Sequence, residues 1–350
     1  MSGKRQHILP RFLQKGFASR IQDEKIFTYV YRKGGTHFET TLENVGLENY
    51  FYGKAGETSA DEEITKIEGG YSQLTNALRC EPDGTRVADL RVADFVAHLT
   101  IRTKQLREFF RESGEYLLDE ITAYLSSPEH MRRLLLSNPE LMRHELTKNL
   151  EGIAVPKAYK DFLIQLVEEN AQEIVNLYMS DLQDTIEALT AQMRSMLPKA
   201  VKDGHIKTLA EHPAPEPRAE EYRSLNWFIR ETSKPLVLGD IGCLFETGGA
   251  RRYKPLNDKG DKLLNIYLPL SSTKLLLGTA YSAPSLVDVG QINKATAKCS
   301  YEYFISGGSG SNNDSLMASI GEWAGILTTE EREQLRKEIF QDLDRGPSMV

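Results

Sequence analysis

The chain opens with the run Gln6-His7-Ile8-Leu9-Pro10-Arg11-Phe12-Leu13-Gln14-Lys15-Gly16-Phe17. This run places an imidazole three residues before a proline, followed by apolar side chains at helical spacing, namely Phe12, Leu13 and Phe17. Most chain ends fray because they bury little surface, whereas this one carries enough apolar surface to be held in a core. We therefore expect the opening residues to be a fixed part of the fold.

A β-hairpin is predicted directly after this run. Lys25–Tyr31 is rich in aromatic and β-branched residues, and Gly34-Gly35 supplies the turn. Thr36–Thr41 provides the return strand. Residues 1–58 are thus expected to form a helical turn followed by a small β element.

Helical patterns occupy the middle of the chain. Ser59 and Glu62 form a capping box before an apolar stripe that runs from Ile64 to Leu78. The pair Gly69-Gly70 interrupts this stripe, either to allow a close backbone approach or to end one helix and start another. A second helix is predicted from Ala88 to Phe110 on the same grounds.

The segment from Asp161 to Leu197 is apolar on one face and acidic on the other. This pattern is typical of a core helix with a solvated acidic face, and it also suits a helix that binds a protein partner. After a proline-rich connector at 212–217, short apolar runs at 227–229, 235–238, 263–268 and 273–277 predict buried strands.

These patterns predict an α+β fold with a helix-rich middle and small β elements at both ends. We divide the chain into a helix/hairpin/helix unit at 1–110 and a helical region at 111–211. A strand-rich unit at 218–305 is expected to pack back on the first unit. A flexible tract and a terminal helix complete the chain at 306–350.

Composition narrows the class of protein. Hydrophobic residues at 40% and charged residues at 27% are ordinary values for a globular protein. No apolar run approaches the roughly 20 residues that span a bilayer, and the first residues lack the apolar segment of a signal peptide. Cys80, Cys243 and Cys299 are widely spaced, as in a reducing compartment, and each is expected to be buried. We therefore expect a cytoplasmic protein with no membrane association.

The net charge of −7 disfavours general electrostatic adhesion to nucleic acid. Residues 1–33, however, carry eight cations and two acids. This basic stretch is either a face that binds a phosphate group or a solvated surface.

Four polar residues are candidates for chemistry. His7 is either a general base or metal ligand, or a half-buried side chain whose ring bonds a backbone carbonyl. Glu68 and Arg102 lie at the edges of two apolar stripes, where they form either an ion pair or an anion- and metal-binding pair. Asp240 follows an apolar strand, where it is either a catalytic or metal-binding acid, or the cap of its own turn at Ile241-Gly242.

The opening run resembles a family of bacterial proteins of unknown function that begins His-x-x-Pro-x-(Phe/Tyr)-Leu-x-x-x-Phe. Further landmarks of that family follow in order up to about Ser306: Asn44-Val45-Gly46, Phe51-Tyr52, Ile67-Glu68, Phe95 to Thr103, Pro235 to Asp240, Pro269-Leu270-Ser271 and Asn293. Two sites differ from the pattern of the family. The chain has Leu238-Gly239-Asp240-Ile241-Gly242 in place of Thr-Ser-Asp-x-Pro, and Lys104 in place of a proline. The resemblance implies no activity.

Two functions fit these residues. The first is a metal-dependent phosphodiesterase or nuclease-like enzyme that acts on a nucleic acid or nucleotide. Glu68 and Asp240 would hold Mg²⁺ or Mn²⁺, His7 would act as base or ligand, and Arg102 would neutralise the phosphate. The second is a non-catalytic binding or regulatory module, such as a component of a bacterial stress or defence system, in which the same residues form a buried network.

Overall fold

The computed structural model describes residues 5–35, 37–54, 60–136, 139–151, 156–258, 260–284 and 286–345. The chain divides into two compact units. Unit 1 comprises residues 1–109 and 201–326, and unit 2 comprises residues 110–200 and 327–350. Among the described residues, the stretch from 104 to 223 is helical, and antiparallel sheets are built from the residues on either side of it, which confirms the α+β class.

All strands of the described residues lie in unit 1, and their pairings are antiparallel. They are β1 (Arg5–His7), β2 (Arg20–Gln22), β3 (Lys25–Arg32), β4 (Phe38–Thr41), β5 (Leu47–Asn49), β6 (Arg86–Val87), β7 (Asn226–Glu231), β8 (Leu238–Gly239), β9 (Leu244–Thr247), β10 (Tyr253–Lys254), β11 (Leu263–Pro269), β12 (Lys274–Thr279) and β13 (Tyr303–Ser306). One sheet is β1-β5, a second is β10-β9-β11-β12-β7-β6, and a third is β2-β3-β13-β8 with β4 paired to β3. The predicted hairpin is therefore β3-β4, and its first strand also pairs with β13 from the C-terminal half of the chain.

The helices are α1 (Arg11–Gln14), α2 (Asp61–Cys80), α3 (Arg91–Ile101), α4 (Lys104–Ser126), α5 (Pro128–Leu136), α6 (Pro139–Glu151), α7 (Lys157–Glu169), α8 (Ala171–Glu211), α9 (Glu216–Arg223), α10 (Val289–Cys299), α11 (Ser311–Met317) and α12 (Thr329–Arg345). Unit 2 is built from α5, α6, α7, α12 and the greater part of α4 and α8. No helix of the described residues is long and apolar enough to cross a membrane.

The opening run is held in the core of unit 1, as predicted. Leu13 and Phe17 are fully buried in the main apolar cluster. Arg79 of α2 donates hydrogen bonds to the carbonyl groups of Phe12 and Leu13, at 3.0 Å each, and to that of Leu270 at 2.8 Å. Because the last carbonyls of a short helix have no partner within the helix, this guanidinium closes α1 and ties it to the sheet.

Helix α2 passes through Gly69-Gly70 without interruption. A Cβ atom at either glycine would meet nothing within 4 Å. The pair therefore neither permits a close backbone approach nor ends the helix, and both expectations for it were wrong. Ser59 of the predicted capping box lies outside the described residues, and α2 begins at Asp61.

The single helix predicted from Ala88 to Phe110 is in fact two helices, α3 and α4. The break falls at Arg102 and Thr103, where the Thr103 hydroxyl accepts a hydrogen bond from the backbone N–H of Leu106 at 3.2 Å. A threonine in this position caps the start of α4. The apolar periodicity continues in phase across the break, so the pattern alone does not reveal it.

The connection around Pro235 also differs from the prediction. The paired strand β8 is only Leu238–Gly239, and the preceding residues are held instead by Asn293 from within α10. Its side-chain amide donates to the carbonyl of Pro235 at 2.8 Å and accepts from the N–H of Val237 at 3.0 Å. The start of α10 is capped by the side chain of Asp288, which accepts a hydrogen bond from the backbone N–H of Gln291.

The cysteines divide into two environments. Cys243 and Cys299 are buried, as expected, and burial raises the pKa of both thiols. Cys80 is exposed at the end of α2, so the expectation of burial was wrong there.

The predicted helix from 161 to 197 spans the end of α7 and most of α8, with a break at Asn170. Within unit 2, Ile186 of α8 is buried against Leu125 and Leu182. Leu189, Met193 and Met196 are exposed. A role for this segment in binding a protein partner stays a prediction.

Candidate functional site

Arg102 lies at the centre of a buried hydrogen-bond network. Only 2% of its surface is exposed. Its Nη1 donates to the carboxylate of Glu68 and to Nε2 of His98, the latter at 3.0 Å. Its Nε donates to the hydroxyl of Tyr52 at 3.0 Å, and its Nη2 donates to the carbonyl of His7 at 2.7 Å. The expected Glu68–Arg102 ion pair is thus confirmed, within a network that uses all three nitrogens of the guanidinium.

The tautomer of His98 follows from its two contacts. Its Nδ1 lies 2.7 Å from the carbonyl oxygen of Pro213, which can only accept, so Nδ1 carries the proton. The lone pair of Nε2 then accepts from Arg102. Burial and the neighbouring guanidinium lower the pKa of His98 to about 3, so the ring is neutral at neutral pH.

His7 fixes the backbone at the edge of unit 1. Its Nδ1 donates to the carbonyl of Val45 at 3.1 Å, as the second interpretation of this residue predicted. Its strand pairs with β5, with His7 opposite Leu47. Burial lowers the pKa of His7 to about 4, so the ring is a neutral donor at neutral pH. The side chain therefore positions the strand that continues through Glu48.

Asp240 holds a loop from another part of the chain. Its carboxylate accepts hydrogen bonds from the backbone N–H groups of Tyr301, Glu302 and Tyr303 at 2.8, 2.6 and 3.1 Å. Its own turn is closed instead by the N–H of Gly242, which donates to the carbonyl of Gly239 at 3.0 Å. The predicted cap at Ile241-Gly242 was therefore wrong, and the carboxylate caps the loop before β13.

The acidity of Asp240 reflects two opposing effects. Burial raises the pKa of this carboxyl group to about 6, although the three N–H donors favour the ionised form and work against the increase. The group therefore titrates just below neutral pH.

The structure brings together only part of the predicted site. Glu68 and Arg102 are bonded to each other, His7 joins them through its backbone carbonyl, and Asp240 bonds the 301–303 loop. Within the described part of the chain, no group of three His, Cys, Asp or Glu residues has an arrangement that could hold a metal ion. Metal binding by Glu68 and Asp240 with Mg²⁺ or Mn²⁺ stays a prediction.

A cleft of about 430 Å³ opens beside Asp240 in unit 1. We call it the Asp240 cleft. Its lining comes from six stretches of sequence that are far apart along the chain: Ile8, Arg32, Lys33, Gly46, Leu47, Glu48, Lys104, Gln105, Asp240, Tyr301, Glu302 and Tyr303. The cleft is large enough for a small organic ligand.

Two cations of the Asp240 cleft have no acidic partner. Lys104 is bonded to Glu302 at 2.6 Å, and the charge of Asp240 is met by backbone donors. Arg32 and Lys33, at the end of β3, are exposed and form no ion pair among the residues that the structure describes. The Arg32 guanidinium faces the ring of Phe38, 5.4 Å from its centre. Positive charge is therefore available at this cleft.

Sequence reasoning missed most of the cleft. Glu48, Gln105 and Tyr301 belong to no motif, and they meet only because the chain folds. One signal existed: Arg32 and Lys33 are two of the eight cations in residues 1–33. The buried Gln6 was also missed, although it accepts from the N–H of Tyr52 at 2.6 Å and so holds the opening strand.

Comparison with known proteins identifies the family alone. No significant match was found among curated proteins or among solved structures. A family model described as "Protein of unknown function (DUF4238)" matches residues 5–309, which is most of the chain. The protein therefore belongs to the DUF4238 family.

Proposed function

We propose that this protein is a binding module for a small anionic ligand, which it takes up in the Asp240 cleft. One observation carries the proposal: Arg32 and Lys33 line the cleft without an acidic partner in the described residues. Two adjacent cations at a concave surface attract carboxylate or phosphate groups, and arginine bonds either with well-defined geometry.

The walls of the Asp240 cleft support binding because they are held in place before a ligand arrives. His7 bonds the carbonyl of Val45 and thereby fixes the chain that leads to Glu48. Asp240 bonds three successive N–H groups and thereby fixes Tyr301 and Tyr303. A site that is already rigid loses less conformational entropy when it binds.

Tyr301 extends the range of ligands that suit the cleft. Its side chain is partly exposed and contributes to the lining. An aromatic ring beside a pair of cations suits a ligand that joins a flat ring to a phosphate, as a nucleotide does. Nucleotides are therefore the first ligands to examine, together with inorganic phosphate and pyrophosphate.

Calorimetric titration of the full chain with AMP, phosphate and pyrophosphate tests the proposal. The double variant Arg32→Gln/Lys33→Gln is expected to bind at least about tenfold more weakly, since a charge-assisted hydrogen bond contributes about 1.5–3 kcal/mol. The matched control is Lys25→Gln, which removes an exposed cation at the opposite end of β3. Equal affinities for the double variant and the control would contradict the proposal, and so would the absence of binding by the wild type.

The enzymatic hypothesis is tested in the same experiment. Each nucleotide titration is repeated with Mg²⁺ or Mn²⁺, with a dinucleotide added as a phosphodiester probe, and followed for release of mononucleotide or of phosphate. Metal-dependent release that Asp240→Asn abolishes, while binding is kept, would favour a phosphodiesterase or phosphatase over a binding module. Binding without turnover is the result that we expect, because the carboxylate of Asp240 is already bonded to three N–H groups.

A further inference from the structure

Arg107 is a second buried arginine, and it differs from Arg102 in one respect. Its Nε donates to Nδ1 of His205 at 3.0 Å and its Nη2 donates to the carbonyl of Phe51 at 2.7 Å. The guanidinium also lies on the ring of Phe51, 3.6 Å from its centre. Its Nη1 is buried and has no hydrogen-bond partner in the described structure.

An unpaired donor of this kind is unusual. Buried polar atoms are almost always hydrogen-bonded, and leaving one unpaired costs about 1–3 kcal/mol. The side chain of Arg107 is 8% exposed, and burial lowers its pKa to about 10. The rest of the guanidinium is held firmly, so Nη1 cannot turn away to find water.

The acid nearest to Nη1 is Glu48, whose carboxylate is part of the cleft wall. One of its oxygens lies 3.7 Å from Nη1 of Arg107, and the other lies 4.0 Å from Nζ of Lys104. Charge-assisted hydrogen bonds are about 2.7–2.9 Å long, so neither contact is one. Glu48 therefore faces two cations without forming a hydrogen bond to either of them.

We infer that the space in front of Arg107 Nη1 and Lys104 Nζ is an inner anion position of the Asp240 cleft, and that Glu48 occupies it until a ligand displaces the carboxylate. This inference rests on the proposed function and makes it more specific. Glu48 is 35% exposed, so it has room to move into solvent. Its departure would uncover the unused donor of Arg107.

The inner position defines the class of ligand. Arg32 and Lys33 bind one anionic group, and Arg107 binds another through its unused donor, with the ammonium group of Lys104, which also bonds Glu302, beside it. The ligand therefore carries two anionic groups, which are either two phosphates or two carboxylates. A ligand with one such group gains nothing from displacing Glu48, because it leaves either the outer or the inner pair unoccupied.

Glu48→Gln tests the inference, because it removes the competing charge and keeps the size of the side chain. The affinity for pyrophosphate is expected to rise at least tenfold, and that for inorganic phosphate less than threefold. Glu43→Gln is the matched control, since Glu43 is an exposed acid five residues earlier that does not line the cleft. It should change both affinities by less than twofold. Succinate, titrated in parallel, tells whether the two groups are phosphates or carboxylates.

The possible results separate the two proposals. A gain for pyrophosphate that exceeds the gain for phosphate supports the inner position. Equal gains for both probes would show a general effect of charge and overturn it, and so would no gain. If Arg32→Gln/Lys33→Gln still binds at least about tenfold more weakly in that case, the anion-binding function stands and only the inner position is lost. If none of AMP, phosphate, pyrophosphate and succinate binds to the wild type or to Glu48→Gln, both proposals fail.

Discussion

Replacement of Arg102 by methionine decides whether the central network is a frame or a reactive site. Methionine replaces the aliphatic part of the arginine side chain, but it lacks the guanidinium group and therefore has no charge and no donor. The substitution leaves four acceptors without their donor: the carboxylate of Glu68, Nε2 of His98, the hydroxyl of Tyr52 and the carbonyl of His7. Of these, Glu68 is partly exposed and recovers water.

The size of the effect follows from burial. Breaking a buried ion pair by removing one partner costs about 3–5 kcal/mol. The other acceptors add about 1–3 kcal/mol for each one that stays unpaired, although relaxation of the side chains reduces the sum. We therefore expect the free energy of unfolding to fall by about 3–5 kcal/mol, which is a large part of the stability of an ordinary domain.

Urea unfolding followed by tryptophan fluorescence measures this loss of stability in unit 1, where Arg102 lies. Both tryptophans of the chain, Trp227 and Trp323, lie in unit 1 together with Arg102. Arg91→Met is the control, because Arg91 forms an exposed pair with Asp89 and such pairs contribute less than about 1 kcal/mol. If the free energy of unfolding of Arg102→Met falls no more than that of the control, with an unchanged dependence on urea concentration, the network around Arg102 does not stabilise the fold. A catalytic arginine would give that result, because active-site residues are seldom optimised for stability.

Three further predictions concern stability. His98 and His205, whose pKa values burial lowers to about 3 and about 4, are protonated more readily in the unfolded chain. The free energy of unfolding therefore holds the full contribution of these neutral histidines above pH 6.5, and it is lower by about 2 kcal/mol per histidine at pH 5. The raised pKa of Asp240 has the opposite effect and offsets about 1 kcal/mol of that loss. The expected result is a lower urea midpoint at pH 5 than at pH 7.5, and equal midpoints would contradict it. Asp240→Ala should lower the free energy of unfolding by about 2–4 kcal/mol and speed hydrogen exchange of the three backbone amides that are bonded to Asp240. Asp240→Asn should recover part of the lost stability. If the three amides exchange at the same rate in Asp240→Ala as in the wild type, the carboxylate does not hold this loop. Gly34→Ala should lower the free energy of unfolding by about 1 kcal/mol, because Gly34 has a positive φ. Gly46→Ala should lower it clearly more, because the added Cβ would also lie 2.5 Å from a tyrosine hydroxyl. Equal losses of stability in the two variants would exclude that clash.

Local pattern was sufficient to predict most regular elements. The apolar stripe from Ile64 to Leu78 became α2, and the run before Gly34-Gly35 became β3. The apolar runs at 263–268 and 273–277 became β11 and β12. These predictions succeeded because each helix or strand buries one face, so its apolar residues recur at the spacing typical of a helix or of a strand.

The break between α3 and α4 could not be predicted in this way. Buried apolar residues continue at helical spacing on both sides of the break, with Leu99 before it and Leu106 after it, so the sequence pattern does not mark its position. The reason for the break is tertiary, since Arg102 reaches partners on α2, on β1 and in the Phe51-Tyr52 segment. Lys104, which stands where the related pattern has a proline, is the first residue of α4. The first turn of a helix is the position that accepts proline without the loss of a hydrogen bond.

The polar residues of the opening motif and the lining of the Asp240 cleft illustrate a second limit of sequence reasoning. A catalytic residue and a structural one can have the same type and the same spacing, because both must be held at a defined place. His7 and Asp240 looked reactive in the sequence, yet each bonds the backbone beside the cleft and fixes its wall. The distinction appears only when the hydrogen bonds of each group are followed to their partners.

The two buried arginines show how that distinction works. All three guanidinium nitrogens of Arg102 donate within the protein, so a ligand at Arg102 would have to break bonds that stabilise the fold. Arg107 is buried nearly as deeply, but its Nη1 has no hydrogen-bond partner among the described residues, and the carboxylate of Glu48 stays 3.7 Å away, beyond hydrogen-bond distance. Since an unpaired buried donor costs stability, a fold that keeps one gains from any acceptor that reaches it. A ligand supplies that acceptor most effectively where the intervening group, here Glu48, already lies on the wall of a cleft. It is therefore the incomplete network around Arg107, and not the complete one around Arg102, that supports the proposed position of the ligand.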